Sequence, residues 1–203
     1  PIMTQLTSNK STGSAISING TSATNYGVVF NYNNPKLIQA TGGGDIAITG
    51  SAGGDYGMFL SNTDVLATSG GITFNGGTRG IYVPAVTTVN WGSKAGTGIT
   101  SSSSNITLTG DSLLFSSTAA INTTGKLTLQ PFGNNFSSAL TYPISNLSLA
   151  STVSGLTIGK DIGSTAHTDT VTMASNTSVA GPINVYAGTI NVDANLNTSG
   201  AGV

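Results

Sequence analysis

The sequence predicts an all-β fold, a parallel β-helix (β-solenoid) of about seven coils with three short strands per coil. Three observations predict it. A short alternating motif returns along the whole chain, a second motif follows the first at a nearly constant offset, and Gly, Asn, Ser and Asp cluster between them.

The first motif reads small, apolar, polar, apolar, polar, often closing on Gly. Its copies are SAISING, GDIAITG, GGITFNG, SNITLTG, GKLTLQP, SGLTIGK and GPINVYA. Their first apolar residues are Ile16, Ile46, Ile72, Ile106, Leu127, Leu156 and Ile183, at spacings of 30, 26, 34, 21, 29 and 27 residues. Apolar-polar alternation is the strand period of two, and no stretch sustains the helical period of 3.6.

The second motif, TNYGVVF, GDYGMFL and TRGIYVP, places Val28, Met58 and Ile81 at 12, 12 and 9 residues after Ile16, Ile46 and Ile72. A third, weaker strand is marked by Leu37 with Ile38, Val65 with Leu66, Val86 with Val89, and Ile121. Corners are expected at Gly20, Gly50, Gly76 and Gly110, because glycine tolerates the tight and left-handed turns that a three-sided coil needs.

One coil of this kind cannot bury its own apolar face. Coils stacked about 4.8 Å apart pair each strand with its equivalents above and below, so the first-motif residues form an inward aliphatic ladder. Ile18, Ile48, Phe74, Leu108, Leu129, Ile158 and Val185 are expected beside it. A β-sandwich also yields short alternating strands with Gly and Asn turns, but it does not explain two motifs in register. A disordered low-complexity segment is disfavoured by the regular apolar pairs.

Composition narrows the function classes. The 203 residues include seven acidic side chains, all aspartate, six Lys plus Arg, one histidine and no cysteine, with 6% charged overall. Ordinary domains carry roughly a quarter charged residues, so the exterior must be wetted by Ser, Thr, Asn and turn backbone. A net charge of −1 offers no long-range field for nucleic acid or an anionic membrane. No apolar run approaches the roughly 18 residues of a membrane span. The absence of cysteine excludes disulfides, thiolate metal sites and cysteine nucleophiles, and it suits export to the cell exterior. With Pro1 first and SGAGV last, residues 1–203 are expected to be one solenoid segment of a longer repetitive chain.

With the motifs laid out, the chain resembles the passenger regions of bacterial surface adhesins of the filamentous haemagglutinin-like and autotransporter type. The resemblance is most concrete over residues 154–200, in LTIG, AGPINVYAG and TINVDANL. It implies right-handed parallel β-helix coils, export across the outer membrane of a Gram-negative cell, and a role in adhesion or as a stalk.

Catalytic and metal-binding constellations fare poorly. Polysaccharide-cleaving β-helices need clustered carboxylates with a Lys or Arg, or calcium held by several aspartates. Here Asp45, Asp55 and Asp64 fall before the first strand, before the second and at the third, on different sides of the column. The remaining aspartates, Asp111, Asp161, Asp169 and Asp193, likewise read as turn residues accepting backbone hydrogen bonds. TGGGDIAIT does not recur every nine residues as a calcium repeat must. His167 is the only imidazole and Arg79 the only guanidinium, which leaves no catalytic triad or histidine metal cluster to assemble. GSKAGTG, residues 92–98, lacks the Lys-Ser/Thr ending of a phosphate loop and reads as a corner insertion. No enzyme activity, metal or cofactor is expected.

Two outward features remain. Between the ladder residues stand Ser17, Ala47, Thr73, Thr107, Thr128, Thr157 and Asn184. The four threonines suit strand stacking, although a regular threonine face is also how some ice-binding proteins order water. On the second strand, outward Val29, Phe59 and Tyr82, continued by Leu114, form an apolar stripe that calls for a cover: a loop, a neighbouring chain or a partner. Trp91 is read as a corner plug or a sugar-stacking platform.

The expected function is a structural or adhesive segment of a secreted surface protein, meeting a host or neighbouring-cell surface or carbohydrate. A self-assembling filament or sheath subunit, associating side by side or end to end, is the alternative, because residues 1–10 and 195–203 carry no capping helix or polar cap. An ice-binding face and a carbohydrate-processing β-helix enzyme are more distant alternatives.

Overall fold

Alternation in the first motif sends every second side chain inward, and the parallel register between coils sets those side chains directly above one another. Ile16, Ile46, Ile72, Ile106, Leu127, Leu156 and Ile183 pair in sequence along one seven-stranded wall. The computed structural model describes residues 4–31, 34–85 and 88–199 and folds them as an all-β parallel β-solenoid of about six turns.

The first wall runs through Ser14–Ser22, Asp45–Ala52, Ile72–Asn75, Ile106–Thr109, Lys126–Gln130, Gly155–Ile158 and Ile183–Val185. The second wall begins as Val28–Phe30, Met58–Leu60, Ile81–Val83 and Leu113–Phe115. Its position in later coils is taken by a separate sheet of Leu140–Tyr142, Thr170–Met173 and Thr189–Val192. The third wall stacks Thr4–Ser8, Lys36–Ala40, Thr63–Ala67, Val89–Gly92, Ala119–Asn122 and Leu147–Leu149. Thr177–Val179 and Leu196–Thr198 pair separately after it. The only helical element among the described residues is the 3-10 turn Gly77–Arg79 at a corner.

Burial follows the ladder. Ile46, Ile72, Ile106, Leu127 and Leu156 are fully buried, as are Ile48, Phe74, Leu108, Leu129 and Ile158 beside them. Ile18, Ile183 and Val185, in the outer coils, are only partly buried, because no further described coil covers them on one side. The core is therefore a column whose burial fades at both ends.

The third wall departs from expectation in one respect. Val86 lies outside the described residues, and Val89 is buried in register with Ala119. Trp91, neither plug nor platform, occupies a ladder position between Val65 and Ile121. Its fully buried indole meets Phe74 of the first wall at 4.6 Å and Phe115 of the second wall at 6.1 Å between ring centroids. Three walls thus fill the middle of the column with aromatic volume. The indole Nε1 finds no partner, a desolvation that costs about 1–3 kcal/mol and is offset by the area the ring buries.

None of the four expected corner glycines is left-handed, and Gly20 and Gly50 lie within the long first-wall strands; what glycine supplies there is close backbone approach. At Gly50 a β-carbon would stand 2.0 Å from the Gly57 carbonyl oxygen, across the turn from the first wall to the second. Gly80 has φ +79°, and a β-carbon there would lie 1.8 Å from the Ser112 oxygen of the next coil, so only glycine satisfies both the backbone conformation and the stacking.

Leu108→Ala is expected to destabilise the column by about 2–5 kcal/mol, the range for emptying a buried leucine site. Thr107→Ala, one residue away but facing outward, should stay within about 0.5 kcal/mol. Urea denaturation of both variants checks this; equal losses would mean that the inward-outward alternation is wrong.

Candidate functional site

What the column can do depends on its outer faces, since the interior is filled. On the second wall Val29, Phe59, Tyr82 and Leu114 stand in one register, as expected for the outward stripe. Their exposure differs sharply: Val29 and Leu114 are 50% and 43% exposed, whereas Phe59 is 7% exposed and Tyr82 half-buried. Among the described residues, rings from the preceding coil's corner and from the next strand of the wall lie against Phe59. Tyr26 meets Phe59 edge-on at 4.9 Å, Phe59 meets Tyr82 at 5.6 Å, and Tyr82 stacks on Tyr56 at 5.0 Å with the rings 30° apart. The motif pair TNYG and GDYG supplies both corner tyrosines. Four rings in a row form a rigid aromatic ridge, flanked by the solvent-facing Val29 and Leu114.

The apolar outer face that does receive a loop is on the third wall. Leu37 and Leu66 point outward there, and Ile99, 3% exposed, closes over both as a small separate cluster. The insertion carrying Ile99 is shaped by its own bonds: the Lys94 N–H donates to the Ile99 carbonyl at 2.9 Å, and Thr97 Oγ1 donates to the Lys94 carbonyl at 2.8 Å. Lys94 Nζ then reaches Asp64 at 2.7 Å. Asp64 also accepts from the Asn90 backbone at 2.8 Å and side-chain amide at 2.9 Å. The GSKAGTG stretch is thus a clasp pinned to the wall by one ion pair and one isoleucine. Between it and the following coils lies a shallow Ser/Thr-lined hollow of about 280 Å³ that includes Ser93, Ser102, Thr123 and Thr152.

The aspartates are spread over separate parts of the column. Asp45 accepts from the Gly71 N–H of the next coil at 2.7 Å, and Asp111 accepts from Phe132 and Gly133. Asp55 sits exposed at a corner. Asp64, within a strand and paired with Lys94, and Asp169 both depart from the solvated-turn reading: the Asp169 side chain is almost wholly buried, accepts from the Phe136 N–H at 3.1 Å, and lies 3.8 Å from His167 Nδ1. The Asp169–Phe136 bond, with the Thr168 N–H donating to Asn135 Oδ1, ties the 131–139 segment to residues 168–169. Among the described residues no three His, Cys, Asp or Glu side chains come together in a metal-binding group. Thr73, Thr107, Thr128 and Thr157 stack in register on the first wall, Thr73 exposed and the others half-buried.

No protein-family model, curated protein or solved structure matches the chain. The functional reading therefore rests on the column's own surfaces.

Ile99→Ser should release the clasp, raising amide hydrogen exchange across 94–99 and lowering stability by about 1.5–3 kcal/mol, the value of one buried aliphatic side chain. Asp64→Asn should loosen the same amides with a stability change under about 1 kcal/mol, since Lys94 is substantially exposed. Unchanged exchange in both variants would show that the clasp is held by other contacts.

Proposed function

We propose that this chain is a structural and adhesive segment of a secreted bacterial surface protein, a column that carries contact surfaces away from the cell. The observation that supports it most is the second wall's outer face, where an aromatic ridge runs between exposed Val29 and Leu114. Among the described residues, Val29 and Leu114 are two of the six large apolar residues that the column leaves exposed, and they are the two that border the ridge. Such a face suits contact with another surface, because an exposed apolar patch gains from any partner that removes it from water. The resemblance to Gram-negative adhesin passengers supports placement at the surface of such a cell, with a host or neighbouring cell, or its carbohydrate, as the partner.

On this reading the chain is not an enzyme. Support comes from Asp45, Asp64, Asp111 and Asp169, whose carboxylates are engaged in holding turns and neighbouring coils. A filament or sheath subunit is the second reading, and one observation favours it. Leu6, Ile190 and Val192 hold ladder positions in the outer coils yet are 46%, 44% and 57% exposed, which suits end-to-end stacking.

Attachment of beads coated with the purified chain to epithelial and bacterial cells tests the adhesive reading. Saturable attachment is expected, and Val29→Ser with Leu114→Ser should reduce it several-fold while leaving thermal stability within about 0.5 kcal/mol, as for exposed positions. Phe59 is unsuitable for this test, because its burial means that a polar substitution would also weaken the wall. Absence of attachment in the wild-type chain, with concentration-dependent growth of rods in sedimentation, would favour the filament instead.

A further inference from the structure

The corner between the first and second walls carries a depression of about 370 Å³ to which successive coils contribute: Asp55 and Tyr56 from one, Arg79 from the next, Ser112 from a third and Ser137 from a fourth. The geometry points to a binding subsite for one neutral pyranose unit, with Tyr56 as its stacking platform and Asp55 and Arg79 as its hydroxyl-binding groups. This deepens the adhesive reading above and rests on it for its biological sense.

Charge is unevenly distributed on this column. Only 6% of the chain is charged, yet its sole guanidinium and an aspartate line the same hollow, and among the described residues neither belongs to an ion pair. Charged side chains that need only solubility have no reason to converge. The lining groups are also preorganised. Arg79 Nη2 donates to the Gly53 carbonyl at 2.7 Å, which fixes the guanidinium while using one of its five N–H groups. Tyr56 is held by stacking on Tyr82 at 5.0 Å, itself braced by Phe59. A platform already fixed loses little entropy on binding.

The lining also matches the chemistry of a sugar ring. A pyranose presents an apolar C–H face and a rim of vicinal hydroxyls. An aromatic ring takes the face, a carboxylate accepts from two hydroxyls, and a guanidinium donates to hydroxyl or ring oxygens. Asp55 and Arg79 together are close to neutral, so an acidic sugar gains from one and is opposed by the other. The volume is at the lower end of small-ligand sites, about 300–1,000 Å³, which suits a single ring. Ser112 and Ser137 extend the polar rim, with Ser137 held by its Oγ donating to the Asp111 carbonyl at 2.8 Å.

The test is titration of the full chain with methyl β-galactoside, methyl α-mannoside and glucuronate, followed by amide chemical shifts. A neutral glycoside is expected to bind with Kd about 1 mM, and Tyr56→Ala to weaken it about tenfold. Asp55→Asn and Arg79→Gln, both exposed and outside the core, should each weaken it several-fold with unchanged circular dichroism. No saccharide-dependent shifts, shifts with glucuronate alone, or binding that survives all three substitutions would overturn the site. The bead assay separates the two proposals. Attachment that depends on Val29 and Leu114 without any saccharide binding leaves the adhesive reading standing and removes this site, whereas saccharide binding lost on Tyr56→Ala without cell attachment does the reverse.

Discussion

Each coil of this protein is held by the coil above and the coil below, and almost everything else follows from that dependence. A three-residue strand such as Met58–Leu60 has too few hydrogen bonds and too little buried area to persist alone. Paired on both sides, with Met58 between Val28 and Ile81, it becomes part of a continuous wall. The interaction is local in space but repeated, so coil length can vary between 21 and 34 residues without disturbing the ladder. Variation is absorbed at the corners, where glycines let backbones approach to distances that a side chain would forbid.

Repetition also decides where chemistry can and cannot sit. Equivalent residues of successive coils stack about 4.8 Å apart, which favours rows of like residues, such as the threonines of the first wall and the rings of the second. Different residue types converge only where coils differ in sequence or length. The three places where that happens are the clasp of the longest coil, the 131–139 segment tied down by Asp169, and the corner that joins Asp55, Tyr56 and Arg79. The last of these is open to solvent and lined by unlike groups, the combination that recognition of a small polar ligand requires.

The fold was legible in the sequence because a period-two pattern inside a longer repeat has one economical explanation. All seven first-motif residues fall in the expected register, whereas of the four expected corner glycines Gly76 and Gly110 directly follow first-wall strands and Gly20 and Gly50 lie inside longer ones. Trp91 was harder to read. Its ladder position is set by pairing with Val65, and although VNWG alternates, with Val89 and Trp91 buried on either side of Asn90, the strand is only four residues long. The clasp had a signal that a strand-by-strand reading passes over. Leu37 beside Ile38 and Val65 beside Leu66 are apolar doublets, and in a strand one member of each must face outward. The coil that follows them is the longest, and its extra residues are the ones that cover the outward members.

The outer second wall shows why exposure cannot be read from alternation alone. Val29, Phe59, Tyr82 and Leu114 share one outward register, yet Phe59 is buried and Val29 is half exposed. Among the described residues, Phe59 and Tyr82 each meet the corner tyrosine of the preceding coil. Tyr26 and Tyr56 lean onto the wall from TNYG and GDYG, while the corners leading to Tyr82 and Leu114 carry Arg79 and Asp111 in place of a ring. The loss of the tyrosine in the third coil is what ends the aromatic ridge, and the same substitution of character puts a guanidinium beside Tyr56. An apolar ridge and a polar hollow therefore arise from one change in the corner motif, so the surface best suited to broad contact and the hollow best suited to a discrete ligand lie side by side on the column.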